Sequence, residues 1–326
     1  MPEIFRPPGR PSDEACCQVM RRFLLAASQN QWLAQRAPQY GFVRKAVQRF
    51  MPGEDVSSAL EAARSLQKSR ISTILTQLGE NVKNAGEAEA VTRHYLDVLE
   101  RVEAQKLDAS ISVKLTQLGL DLGADGCLAN VQRLAERARE LGNFLWIDME
   151  GSAYTNATLE LYRRVRAQHP DVGVCLQAYL YRTEKDLADL LPLGPAIRLV
   201  KGAYNEPPEL AYPRKKDVDE NYFRLARQLL DPEVRKAGTR AGFATHDLRL
   251  IQKIEQVVQE LGLPKESVEF QLLYGIQRAE QVRLAQAGYR VRVLISYGSQ
   301  WFPWYMRRLA ERPANLTFVI RNMFSG

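Results

Sequence analysis

The chain has 326 residues, 45% of them hydrophobic, and 45 basic against 38 acidic side chains give it a formal charge of +7. That length is enough for a sizeable core, in one large α/β domain or two smaller ones. The mild, interspersed positive bias suits anionic substrates or an anionic membrane surface and lacks the concentrated basic tract of a nucleic-acid binder. Cys16, Cys17, Cys127 and Cys175 form no CxxC pair, and the histidines are only His94, His169 and His246. Neither a zinc cluster nor a disulfide framework is supported, so no metal is expected and a reducing, cytoplasmic compartment is. No apolar run reaches membrane-spanning length, and the proline- and arginine-rich start lacks the apolar centre of a signal peptide.

In chain order, MPEIFRPPGRP has too few apolar positions to fold alone and reads as a mobile tail. Ser12-Asp13-Glu14 is a helix-start signal, and helical spacing follows in CCQVMRRFLLAASQNQWLAQ, FVRKAVQRFM (42–51) and SSALEAARSLQKS (57–69). Residues 1–70 are therefore expected to be a tail and helical extension. From Ile71 short β-type runs alternate with amphipathic helices. The expected strands are 71–78, 109–115, 144–149, 172–179, 196–202, 241–246, 268–273 and 289–296. Such alternation, repeated about eight times over some 250 residues, is the pattern of a (β/α)8 TIM barrel. A doubly wound open sheet is the alternative, but no GxGxxG follows any strand.

A barrel gathers functional side chains at the C-terminal ends of its strands. Those positions offer Glu80, Lys114, Asp148 with Glu150, Gln177, Tyr179 and Arg182, Lys201 with Tyr204, Thr245-His246-Asp247, Gln271 with Tyr274, and Tyr297. Lysine and aspartate beside apolar strands are costly unless paired, so a Lys114–Asp148 ion pair is expected. Near the C-terminus, YGSQWFPWYMRRLAERPAN reads as one short helix, with Tyr305, Arg308 and Glu311 on one face and Arg307 and Glu311 spaced i,i+4. Adjacent arginines among aromatic rings suit a small carboxylate; a solvated charged face has the same appearance.

Taken in order, ISVKLTQLGLDL, IDMEG, VCLQAYLYRTEKDL, IRLVKGAY, FATHD, VEFQLLYG and YMRRLAERPAN resemble the proline dehydrogenase family across about 111–315. The resemblance implies a distorted (β/α)8 barrel over 71–326, non-covalent FAD at its C-terminal mouth, and a final helix closing over that mouth. It implies oxidation of L-proline to Δ1-pyrroline-5-carboxylate, with electrons passed to a membrane quinone through peripheral membrane contact. It places Arg307 and Arg308 on the substrate carboxylate with Glu311 as their partner, Lys114 and Asp148 near the substrate, and Tyr204 as a wall of the active site. Gln177, Arg198, Val200, Lys201, Gly202, Ala203, Tyr204, Thr245, His246, Asp247 and Leu273 fall at its flavin contacts.

Two positions depart from the family's pattern. Leu294 stands where relatives carry a tyrosine that packs on the substrate ring, in Leu294-Ile295-Ser296-Tyr297-Gly298. A hydroxyl and part of a ring are lost there, so a larger or substituted cyclic amino acid such as a hydroxyproline is an alternative substrate. Asp247 replaces an asparagine, and an ionised carboxylate cannot donate a hydrogen bond. A catalytically silent barrel that binds an amino acid is the third reading.

Overall fold

The computed structural model describes residues 36, 47–302 and 304–306. Two compact units divide the chain, one comprising 49–299 and the other 1–48 with 300–326. In the first unit, eight parallel strands close into a barrel in sequence order: β1 (Ser72–Gln77), β2 (Ala109–Val113), β3 (Leu145–Ile147), β4 (Val172–Gln177), β5 (Ala196–Val200), β6 (Arg240–Ala244), β7 (Glu269–Leu273) and β8 (Arg290–Tyr297). Closure is the pairing of β8 with β1, in register from Ser72 with Arg292 to Gln77 with Tyr297. The expected strands are all present, shorter by a residue or two at most C-terminal ends, where the chain leaves the sheet to build the mouth.

Alternation along each strand sorts the side chains. Outward residues such as Ile111, Ile147, Val174, Ile197, Phe243 and Val293 join the apolar faces of the surrounding helices in one continuous core. Inward residues fill the barrel, where Ile74, Trp146 and Ala196 pack together with Leu294 against them. Trp146 is the bulkiest of that layer, and Gly173 on neighbouring β4 makes room for it. A Cβ built there would lie 2.5 Å from the indole.

Helix ends are set by side-chain caps. Asp55 accepts the Ser58 N–H at 2.8 Å, starting helix Val56–Gln67. Asn84 accepts from Glu87 N, capping helix Ala85–Ala104, while Glu87 accepts from Lys83 N just before the cap. That helix also opens the barrel. Pairing of β1 with β2 stops at Leu75 and Ile111. Just beyond, the Tyr95 phenol accepts from Gln77 N (2.8 Å) and donates to the Ser112 carbonyl (3.0 Å), standing where a ladder bond would run. The two strands therefore part at the C-terminal mouth.

At the N-terminal end the interior is closed by charge. Glu269 accepts from Arg240 (3.0 Å), Arg292 (3.3 Å) and Gln271 (2.6 Å), and Arg240 lies 4.7 Å over the Phe144 ring. Burial pushes the Glu269 carboxyl up, but the two arginines outweigh it and hold it down at about 2. Residues 301, 302 and 304–306 are helical, and the Trp301 and Tyr305 rings meet edge to face at 6.3 Å. The positions that follow, with Arg307, Arg308 and Glu311, lie outside the described residues.

Candidate active site

The mouth is assembled from strand ends. Lys114 directly follows β2 and is 9% exposed. Its ammonium pairs with Glu80, in the loop after β1, at 3.6 Å. Asp148, directly after β3, accepts from Ser112 Oγ at 2.8 Å and from Arg198 Nη1 at 2.8 Å. Arg198 reaches across from β5, donates from Nη2 to Ser112 Oγ at 3.1 Å, and lies 4.8 Å over the Trp146 ring. The expected Lys114–Asp148 pair is thus corrected: each has a different partner. The reason is the shape of the ions. A planar guanidinium can serve Asp148 and Ser112 together while stacked on an indole, whereas a lysine ammonium is a point charge that cannot match that set.

Glu150, two residues after Asp148, is 3% exposed and accepts from Thr116 N (3.1 Å) and Thr116 Oγ1 (2.6 Å). Burial raises its carboxyl, against the pull of those bonds and of Lys114.

After β5, Lys201 enters a four-charge ring. Its ammonium meets Asp219 at 2.5 Å and Asp247 at 2.9 Å, and Lys215 bridges the same two carboxylates. Asp247 also accepts from Arg249 N, capping helix Leu248–Glu260. Its carboxyl is raised by burial but lowered further by Lys201 and Lys215, so it is firmly ionised. The carboxylate that replaces the family's amide is accordingly engaged with two lysines and a helix start. Gly202 has φ +115, and a Cβ there would lie 2.3 Å from the Tyr179 ring, so the backbone passes where only glycine fits. Val200, Ala203 and Tyr204 are half-buried beside it.

Thr245 and His246 follow β6. Thr245 Oγ1 accepts from Asp247 N at 3.2 Å, and His246 Nε2 accepts from Leu273 N, at the end of β7, at 2.9 Å. Gln177, ending β4, is 3% exposed, and its Oε1 has no hydrogen-bond partner among the described residues; the same holds for Arg198 Nε. Leu294 is half-buried on the Ile74–Trp146 layer.

The structure therefore joins Asp148 to Arg198, Lys201 to Asp247, and His246 to the backbone of Leu273. Sequence reasoning missed Ser112, Asp219 and Lys215 and assigned no partner to Glu80. Ser112 had a findable signal, since it lies two residues before Lys114 on the same face of its strand. Asp219 and Lys215 lie on a helix, where nothing in the spacing singles them out. Among the described residues Cys127 and Cys175 are free and buried, no acidic, histidine and cysteine cluster could hold a metal, and no helix is long and apolar enough to cross a membrane.

A family model described as proline dehydrogenase matches residues 59–321. The chain belongs to the proline dehydrogenase family. It is 37% identical over 306 residues to proline dehydrogenase 2 of Bacillus subtilis (strain 168), covering 94% of this chain and 99% of that protein. With the proline dehydrogenase of Deinococcus radiodurans it shares 38% over 316 residues, 95% of this chain and 99% of the other. The barrel is also similar to the crystal structure of proline utilization A from Bdellovibrio bacteriovorus inactivated by N-propargylglycine, with a TM-score of 0.78 and 23% identity. That match covers 95% of this chain and 38% of the larger protein, and shows the fold.

Proposed function

We propose that the chain oxidises L-proline to Δ1-pyrroline-5-carboxylate with bound FAD and passes the electrons to a quinone, through peripheral contact with a membrane on its cytoplasmic side. The observation that carries this reading is the meeting of Lys114, Asp148, Arg198, Lys201 and His246 at one end of the barrel, in a chain whose relatives are proline dehydrogenases. The reaction removes two electrons and two protons from a C–N bond, and no side chain accepts a hydride. FAD supplies that acceptor when bound.

The residues present fit such a group. Gln177 Oε1 and Arg198 Nε are buried polar atoms with no hydrogen-bond partner among the described residues. Gly202 holds a backbone path that only glycine can follow. Gln177, Arg198, Val200, Lys201, Gly202, Ala203, Tyr204, Thr245, His246, Asp247 and Leu273 would hold the flavin. Arg198 is pre-set by Asp148, Ser112 and the Trp146 face, so its charge is available without reorganisation. Arg307 and Arg308 supply the positive charge that fixes the substrate carboxylate, Glu311 steadies the arginines, Lys114 and Asp148 stand near the substrate, and Tyr204 walls the site. Fixing the carboxylate turns binding into near-attack geometry.

The test is the absorbance of the purified protein. Flavin colour that bleaches on adding L-proline supports the proposal. Colour that bleaches only with ring-substituted cyclic amino acids favours the second reading, for which the observation is Leu294 half-buried on the inner face of β8. A protein that neither carries nor takes up flavin overturns both.

A further inference from the structure

Lys114 lies between two residues that are each held by a carboxylate from the same short segment after β3. Two positions before it, Ser112 Oγ donates to Asp148 at 2.8 Å. Two positions after it, Thr116 donates from its backbone N–H (3.1 Å) and its hydroxyl (2.6 Å) to the two oxygens of Glu150. Lys114 is also the N-cap residue of the 3₁₀ turn Leu115–Leu118 and offers that turn no side-chain cap. The orphan N–H in the first turn is satisfied instead by Glu150, which is 34 residues away in sequence and 3% exposed. A capping bond made from another strand ties the backbone of one strand end to that of its neighbour. It leaves the Lys114 side chain free to pair with Glu80 at 3.6 Å.

We propose that Glu150 is a positioning residue for Lys114: with Asp148 it clamps both sides of the β2 terminus, and the clamp sets where the lysine ammonium stands. Glu150 acts through backbone and hydroxyl, not through contact with a reacting atom. The inference rests on the reading of Lys114 as a substrate-site residue for its catalytic consequence, while the clamp itself is a property of the folded chain.

The test uses the full-length protein loaded with flavin. Glu150→Gln keeps a carbonyl oxygen to accept the Thr116 N–H; Glu150→Ala removes both acceptors. The first readout is the NMR resonance of Lys114 after reductive ¹³C-methylation, assigned with Lys114→Arg. Glu150→Ala should move this resonance to the position of exposed lysines, and Glu150→Gln should leave it near the parent. The second readout is turnover. Misplacing a substrate-positioning group by about 1 Å costs on the order of a hundredfold, so Glu150→Ala should lower kcat/KM for L-proline by about ten- to a hundredfold, with Glu150→Gln restoring most of it. An unmoved Lys114 resonance in a folded Glu150→Ala protein, or equal damage from Gln and Ala, overturns the proposal. Should Glu150→Ala fail to fold, Glu150→Met removes both acceptors while keeping the side chain's volume. A shifted resonance there supports the clamp, and an unshifted one overturns it. A parent protein that does not oxidise proline would refute the reading of function, and the resonance would still decide the clamp.

Discussion

The two ends of the barrel bury charge in different ways. At the N-terminal end Glu269 has two arginines and an amide around it, and Arg292 also donates to the Thr73 carbonyl and to Asp108. Every partner there is another part of the plug, and the arrangement closes the barrel. At the C-terminal mouth Arg198 and Gln177 each keep a buried polar atom without a hydrogen-bond partner among the described residues, and Lys114 meets Glu80 at 3.6 Å. Trp146 divides the two, with Arg198 at 4.8 Å and Arg240 at 5.9 Å from its ring. Unmet hydrogen-bonding capacity in a buried site costs stability; the plug carries some too, at Gln271 Oε1, so what sets the mouth apart is the gathering of charged strand-end side chains there.

The largest test of that contrast is at the closed end. Glu269→Ala leaves two half-buried arginines without this carboxylate and should destabilise the fold by about 3 kcal/mol in urea unfolding, with catalysis by the folded fraction unchanged. Its folded carboxyl is held down to about 2 from 4.5. Its contribution is therefore complete above pH 4.5 and lost as pH falls from there through 2. On the order of 3 kcal/mol is at stake in that window, and Glu269→Gln should flatten this acid limb of stability. Equal loss of turnover in folded Glu269→Ala would break the division between the ends.

Next is the Arg307 and Arg308 pair. Losing one partner of a desolvated charge-assisted contact costs about 2–5 kcal/mol, against about 0–1 for an exposed pair. Arg308→Met should lower kcat/KM for proline roughly 30- to several-thousand-fold with flavin content and stability retained. Arg307→Met should act in the same direction. Values within a few-fold of the parent for both would return these residues to a solvated face.

A smaller effect is expected at Leu294. A change of apolar volume in a pocket discriminates by about 1–3 kcal/mol. Leu294→Tyr should favour L-proline over ring-substituted analogues by about tenfold or more in the ratio of kcat/KM, without altering the melting temperature by more than a few degrees. An unchanged ratio would show that this inward position on β8 does not meet substrate. The smallest effect joins the two ends: Gly173→Ala places a methyl 2.5 Å from Trp146, an overpacking cost of about 1–3 kcal/mol. Because Arg198 stacks on that indole, a modest fall in kcat should accompany the loss of stability. Loss of stability alone would show that the mouth does not sense the layer beneath it.

Much of this was legible in the chain. Short β-type runs alternating with amphipathic helices located all eight strands, and strand-end logic placed Lys114, Asp148, Lys201 and His246 at a common mouth. The pairings among them were not legible. Adjacent strands suggested Lys114 with Asp148, while the partner of Asp148 comes from two strands further on. Asp219 and Lys215 looked like ordinary charges on a helix face, and only packing of that helix brings them to Lys201.

The sequence by itself determined where strands and helices form, because local spacing decides which faces can be buried, and it determined which polar residues stand at strand ends. Only the tertiary structure decided which charge meets which. In a closed barrel the inward face of any strand sees strands far from it in sequence, and distance across that interior, together with the shape of the guanidinium or ammonium, selects the partner.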